Sequence, residues 1–421
     1  MNTPLRLTYS TAFQILGRGA TAFSTALVTF LVTRSLGVNG FGNFTAILSY
    51  ITLFFVFTDF GINAIFVREV SNEKSKQKDY YKNLLGLRLI GILFTAFIAI
   101  GILAFSDHSG VVKLGIILGL GILVAQSFAV SALAVFQAKI RYDQALISDV
   151  FGAVANLMFV YIATKNFSSV LAVIIALVFG NFVRALVALY LAKFQIGVFA
   201  FAFNINFWRK LIFAALPIGL IMVFSQFNAQ IDKQIVLLAT YKPSLGLTGE
   251  TSAGIYGLAY KIFELAIVLP TYILNVGYPL MIRKKDQGLA VLLKFAKKLA
   301  IVLVALGGLG LVCGLVLAPV LVSILGGSSF SDSILTTRIL FLGFPLFFIT
   351  PLTLWLGVVL NKNKELLFIY GFAAVFNLVA NLVFVPEIGY NAAAVITVTT
   401  EGLILVMSFV VIVLNKSILK Q

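Results

Sequence analysis

Long apolar stretches alternate along the chain with short polar segments. Twelve stretches are long enough to cross a bilayer, because about 20 apolar residues in a helix span roughly 30 Å of hydrocarbon. The pattern therefore predicts an all-α integral membrane protein with twelve transmembrane helices. The predicted spans are 10–33, 43–67, 84–105, 113–137, 144–164, 168–192, 210–239, 254–281, 296–320, 334–360, 365–385 and 390–414.

Composition excludes a soluble protein. Hydrophobic residues make up 61% of the 421-residue chain, charged residues only 11%, and the mean hydropathy is +1.06. A soluble domain could not hide that much apolar surface from water. The first span lacks a short apolar core followed by a cleavage site, so we expect a retained helix rather than a signal peptide.

Basic residues in the connecting segments indicate the orientation, because short basic loops stay on the cytoplasmic side. Twenty-one lysines and arginines fall on the side of the N-terminus, whereas the other side has only Lys113, Lys165 and Lys242. We predict a multi-pass membrane protein with both termini on the cytoplasmic side. The net charge of +16 is then mostly topological, and we do not expect nucleic-acid binding.

Six spans precede the segment 193–209 and six follow it. We predict two six-helix lobes, residues 1–195 and 196–421. Similar contexts around Phe41-Gly42 and Tyr256-Gly257 favour an internal duplication, although glycine and aromatic residues also recur by chance near membrane surfaces. Repeated helix bundles are a common transporter plan, with the substrate held between them.

Ionisable residues inside the predicted spans are the main functional signal. Each costs about 2.5 to 3.5 kcal/mol at a helix centre on insertion scales, so such residues should face a watery interior or one another. Arg34, Arg88, Arg338 and Asp149 lie near predicted membrane surfaces, and we expect the three arginines to snorkel toward water. The deeper set comprises Arg18, Asp59, Arg184, Asp232, Lys233, Lys261, Glu264 and Glu401.

Spacing distinguishes the deep residues of the seventh and eighth spans. Lys261 and Glu264 share a helix face and are able to neutralise each other. Asp232 and Lys233 are consecutive, about 100° apart around a helix, so at least one needs a partner elsewhere. We interpret Arg18, Arg184, Lys233, Lys261 and Asp59 as candidate substrate-binding residues. Asp232, Glu264 and Glu401 are candidates for ion coupling or for pairing with the bases.

Other chemistry is absent from the sequence. There is no G-x-x-x-x-G-K-S/T loop, no metal-binding spacing of His and Cys, and no G-x-S-x-G elbow. The single Cys313 lies in a predicted span, and we expect His108, the only histidine, to be a solvated loop residue. We predict no cofactor, no metal site and no enzymatic activity, although a membrane glycan polymerase or transferase remains an alternative.

Several short motifs, in order along nearly the whole chain, resemble those of the polysaccharide (O-antigen, Wzx-type) flippases of the MOP superfamily. Residues 34–42 (RSLGVNGFG) are similar to R-x-L-G-x-x-x-F/Y-G, and DFG at 59–61 with RE at 68–69 is similar to D-F/L-G…RE. LPIG at 216–219, DK at 232–233 and GIYGLAYK at 254–261 follow the family pattern. So do the asparagines and glycine of 377–394, with Asn391 replacing the usual second glycine.

The resemblance implies two six-helix lobes around a central cationic cavity that opens alternately to either leaflet. It implies a flippase for a polyprenyl-pyrophosphate-linked oligosaccharide, with membrane lipids, a coupling cation (H⁺ or Na⁺) and a glycan polymerase machinery as partners. The nearest alternative is a cation-coupled multidrug exporter of the same superfamily. The many basic residues argue against it, because a cavity for cationic drugs should be more acidic. A lipid II flippase should carry two further helices and more arginines in its first span.

Overall fold

The computed structural model describes residues 3–72 and 76–413, and within them it contains helices and no strand. Two 3-10 turns, Pro243–Leu245 and Ser328–Phe330, lie between helices. The helices are α1 Thr3–Asp59, α2 Ile62–Asn72, α3 Gln77–Ala104, α4 Gly110–Lys139, α5 Tyr142–Asn166, α6 Val170–Ile196, α7 Ile205–Leu238, α8 Gly249–Ala266, α9 Leu269–Asp286, α10 Leu289–Leu325, α11 Ser333–Leu342, α12 Phe344–Val359, α13 Asn363–Ile388 and α14 Tyr390–Val413.

Helix α1 covers the first two predicted spans. Its 57 residues are far more than one crossing needs, and its regular geometry is interrupted at Gly37 (φ 64°, ψ −169°). A side chain would be strained at this positive φ, so the glycine of the RSLG motif allows the chain to break there.

The helices confirm the all-α, multi-span prediction. Within the described residues, ten helices are long and apolar enough to span a membrane, or eleven if α11 and α12 form one span bent by 44°. Pro345 and Gly343 lie at that bend, where proline removes a backbone hydrogen bond. Because α1 alone covers two predicted spans, the structure is consistent with twelve crossings.

A second break separates α1 from α2 at the DFG motif. Phe60 (φ 45°) and Gly61 (φ 72°) are both left-handed, which ends α1 at Asp59 and redirects the chain. Gly219 of the LPIG motif on α7 packs against this break, and a Cβ at Gly219 would lie only 2.7 Å from the carbonyl oxygen of Phe60. Two motifs distant in sequence therefore meet through a glycine.

The chain forms two compact units, Met1–Gln226 and Phe227–Gln421. In the first, small residues allow close helix packing: a Cβ at Gly115 or Gly119 on α4 would overlap the side chains of Ile47 or Ile51 on α1. The lobe division at residue 195 stays a prediction.

The expectation for His108 is wrong. Its side chain is buried, with 7% exposed. Nδ1 lies 2.8 Å from the hydroxyl of Ser106, and the ring packs edge-on to Tyr50. A polar partner and an aromatic neighbour from α1 allow this loop histidine to leave water.

Candidate functional site

Asp232 on α7 is fully buried and held by three hydrogen bonds. Its carboxylate accepts bonds from the hydroxyl of Tyr256, from the hydroxyl of Thr397 at 3.2 Å, and from the backbone N–H of Lys233 at 2.8 Å. These donors come from α8, α14 and α7. A buried carboxylate is tolerated only when its oxygens are satisfied in this way.

Lys233, the next residue, is also buried but points to different partners. Its ammonium donates to the backbone carbonyl of Ala229 at 2.7 Å and to Oε1 of Gln230 at 2.9 Å. It also lies 3.5 Å from the ring centroid of Tyr260, a cation–π contact. Among the side chains that the structure describes, no carboxylate lies within ion-pair distance of this ammonium.

Two tyrosines explain how consecutive charges are both accommodated. Tyr256 and Tyr260 are one turn apart on α8 and therefore share a helix face. The hydroxyl of Tyr256 bonds Asp232, whereas the ring face of Tyr260 covers Lys233. The two aromatic side chains of the GIYGLAYK motif thus hold both residues of the DK pair.

Lys261 and Glu264 form the ion pair that their spacing allows. The ammonium and a carboxylate oxygen are 2.5 Å apart, and both side chains are partly exposed. Both also act electrostatically on Lys233. Asp232, Lys233, Lys261 and Glu264 therefore belong to one cluster of the second unit.

Glu401 on α14 lies near this cluster and interacts electrostatically with Tyr260. A turn earlier on the same helix lies Thr397, which contacts Asp232. The second unit thus contains two basic and three acidic members of the predicted site, so its local charge is not strongly positive.

A layer of buried asparagines adjoins these charges, and sequence reasoning gave it no role in the site. Asn377 donates to the hydroxyl of Thr400 at 3.3 Å, and Asn381 donates to the carbonyl of Asn377 at 2.8 Å. Both side chains are at most 1% exposed. The available signal was two amides four residues apart in an otherwise apolar span, which predicts a shared buried face.

The first unit holds the remaining predicted residues in separate places. Arg184 on α6 pairs with Asp149 on α5 at 2.7 Å, and both are partly buried. Asp59 pairs with Arg88 at 3.0 Å. The side chain of Arg18 lies outside the described residues, so its predicted role is not addressed by the structure.

The expectation that Arg88 snorkels is wrong. Its side chain is among the largest fully buried ones and donates to Asp59, to Oδ1 of Asn63 at 2.7 Å, to the hydroxyl of Ser131 at 2.9 Å and to the backbone carbonyl of Thr58. Three of these partners flank the break between α1 and α2. Position along the span could not reveal this, because Arg88 is near the end of a predicted helix but inside the folded unit.

Residues 7–285 match the family described as polysaccharide biosynthesis protein, which is two thirds of the chain. The chain belongs to this family. The family that the motifs indicated is thus confirmed. A comparison with curated proteins found no significant match.

This protein has the fold of MOP superfamily transporters. The lipid II flippase MurJ in an inward closed conformation aligns with a TM-score of 0.74 and 15% identity over 96% of this chain and 89% of that chain. An inward-facing multidrug resistance MATE transporter aligns with a TM-score of 0.73 and 16% identity over 97% of each chain. A MOP superfamily transporter from Pyrococcus furiosus, whose binding pocket is described as reversed in polarity, aligns with a TM-score of 0.70 and 15% identity. The alignment covers 99% of this chain and 96% of that chain. At these identities the likeness establishes the fold alone.

Proposed function

We propose that this protein is a flippase that carries a polyprenyl-pyrophosphate-linked oligosaccharide from the inner to the outer leaflet of the cytoplasmic membrane by alternating access. Membership of a polysaccharide biosynthesis family and the fold of membrane transporters support transport of a glycan precursor. The polyprenyl tail stays in lipid, so the protein has to desolvate only the head group. No bond is broken.

The observation that carries this proposal is the state of Lys233. A buried ammonium within a membrane span, without a carboxylate partner among the described residues, is costly and is expected where it serves a function. A pyrophosphate oxygen would give Lys233 the direct ion-pair contact that no described carboxylate makes with it. Lys261 beside it would join when its pairing with Glu264 is exchanged for the phosphate.

Arg184 and Asp59 are proposed to bind substrate only after their present ion pairs break. Both are ion-paired, Arg184 with Asp149 and Asp59 with Arg88, so each would have to change partner to contact a head group. Arg18 is proposed as a further phosphate-binding residue on its sequence position alone.

Asp232 is the proposed coupling residue. It is a buried carboxylate held by neutral donors. Protonation of the carboxylate, or Na⁺ bound to it in place of a hydroxyl donor, would change its contacts with α8 and α14. Glu264 and Glu401 are proposed as partners in pairing or coupling. A glycan polymerase acting on the outer leaflet would consume the translocated product.

The test is complementation of glycan export in cells that lack their own exporter. Lys233→Ala and Lys261→Ala should each reduce export by about ten-fold or more, since a charge-assisted bond contributes about 1.5–3 kcal/mol. Lys297→Ala, an exposed lysine on α10, is the matched control and should export normally when expressed at equal level. Normal export by Lys233→Ala would overturn the assignment.

Two further readouts separate the alternatives. If the protein is instead a cationic-drug exporter, the unmodified protein should confer drug resistance without restoring glycan export, and Lys233→Ala should lose that resistance. Purified protein in vesicles should move a labelled lipid-linked sugar to the other leaflet without changing its mass. A change in mass would favour a transferase or polymerase instead.

A further inference from the structure

An open surface cavity of about 460 Å³ lies between α13 and α14, where α13 begins and α14 ends. Its volume falls within the roughly 300–1,000 Å³ typical of ligand pockets. Both helices belong to the second unit, and the cavity involves none of the predicted site residues. Its walls are almost entirely apolar and include Phe368, Ile369, Val406, Met407 and Val410.

Two charged residues at the start of α13, Lys364 and Glu365, also line the cavity, and only Glu365 forms an ion pair. Glu365 pairs with Lys362, whose ammonium lies 3.0 Å from a carboxylate oxygen. Lys364 is exposed, and in the described part of the chain no carboxylate lies within ion-pair distance of it. Lys364 also acts electrostatically on Glu365, so the two lysines and one glutamate at this end of the cavity leave one net positive charge.

The charge asymmetry of the connecting segments predicts that this end of α13 and α14 faces the cytoplasm. The cavity then lies in the inner leaflet, with Lys364 at the level of the phosphate groups and the apolar walls at the level of the acyl chains.

We infer that this cavity binds one anionic phospholipid, with an acyl chain between α13 and α14 and the head-group phosphate on Lys364. Apolar walls alone would not select a lipid, because bilayer tails are as apolar as the helices. Selection comes from the charge, and basic pockets between spans on the cytoplasmic side are a recurrent means of binding acidic lipids. The occupant is a bilayer phospholipid and is separate from the transported glycolipid.

Native mass spectrometry of the purified full-length protein measures this binding directly, without reference to transport. Delipidated protein is titrated with phosphatidylglycerol, phosphatidylcholine or undecaprenyl phosphate at equal concentration. We expect phosphatidylglycerol to bind about five-fold more tightly than phosphatidylcholine, the effect of roughly one lysine at a membrane surface.

Four variants localise the binding. Lys364→Gln should abolish the preference for phosphatidylglycerol, and Lys364→Arg should keep it. Val410→Trp should fill the cavity and reduce phosphatidylglycerol binding, whereas Phe409→Trp, on the same helix but outside the lining, should not. If Val410→Trp does not fold, the comparison of Lys364→Gln with Lys364→Arg still shows whether Lys364 selects the anionic lipid.

Three results would overturn the inference: equal binding of the two phospholipids, an unchanged preference in Lys364→Gln, or binding of undecaprenyl phosphate at this cavity in place of phosphatidylglycerol. The last result would assign the cavity to the tail of a polyprenyl lipid.

Discussion

At the residue level, the molecule accommodates opposite charges side by side on one helix. Asp232 and Lys233 do not pair with each other; Tyr256 supplies a hydroxyl to one and Tyr260 a ring face to the other. The ring of Tyr260 also packs against two neighbours on α8, Phe263 in a T-shaped arrangement and Tyr256 in a tilted one. The tyrosine pair is therefore the support of the proposed site, although neither residue was expected there.

The different roles of the two tyrosines can be measured. Tyr256→Phe should lower the free energy of unfolding by about 1–3 kcal/mol, because a buried carboxylate loses a donor. Tyr260→Phe should stay within about 0.5 kcal/mol, since no described residue forms a hydrogen bond with the Tyr260 hydroxyl and the ring remains. Thermal unfolding of the variants in one detergent provides the comparison.

Tyr260→Leu completes the comparison by removing the ring itself. We expect it to be less stable than Tyr260→Phe by about 0.5–2 kcal/mol, the range of a cation–π contact. Equal melting of Tyr256→Phe and Tyr260→Phe would contradict the assigned roles.

At the level of helices, the breaks are where motif residues concentrate. The α1–α2 break combines two left-handed residues, the close approach of Gly219 on α7, and the buried Arg88 from α3. Arg88 satisfies a carbonyl freed at the end of α1 and ties Asp59 and Asn63 on either side of the break. We interpret Arg88 as a clamp on this break.

Removal of the clamp should destabilise the protein strongly. Arg88→Met leaves the carboxylate of Asp59 without its partner, so we expect a loss of about 3–5 kcal/mol in thermal unfolding. Arg68→Met, which breaks an exposed pair with Glu69, is the control and should cost no more than about 1 kcal/mol. Comparable effects of both variants would show that burial of Arg88 contributes nothing.

Adding Asp59→Asn to Arg88→Met gives a second check. The double variant no longer buries an uncompensated charge, so it should recover part of the lost stability. A double variant less stable than Arg88→Met would indicate that Asp59 is stabilised by groups other than Arg88.

At the level of the whole molecule, the distribution of lysine and arginine predicts the orientation in the membrane. Lys165 is exposed in the last turn of α5 on the predicted outer side, and Lys297 is exposed near the start of α10 on the predicted inner side. The two positions therefore report on opposite faces.

Single cysteines at these positions test the orientation after the native Cys313 is changed to serine. A membrane-impermeant maleimide applied to intact cells should label Lys165→Cys at once and Lys297→Cys only after the cells are opened. Labelling in the reverse order would place the termini outside, and it would also move the cavity between α13 and α14 to the outer leaflet.

The linear pattern was sufficient for the class of fold. Spans of about 20 apolar residues have one stable form in lipid, because each backbone N–H and C=O must be satisfied within the segment, so length and hydropathy predict helices directly. Motif glycines such as Gly37 and Gly61 mark the breaks, since only glycine readily adopts their positive φ. The pairing of Lys261 with Glu264 followed from helix periodicity in the same way.

Partners from distant segments could not be read from the order of residues. Arg88 and His108 were misjudged because depth was inferred from distance along one helix, whereas burial depends on which other helices pack beside that position. Thr397 reaches Asp232 across 165 positions, and the ring of Tyr260 covers Lys233 from a different helix. Local periodicity thus determines helices and their faces, while the packing of those faces decides which charges are neutralised and which one, Lys233, keeps no acidic partner in the described structure.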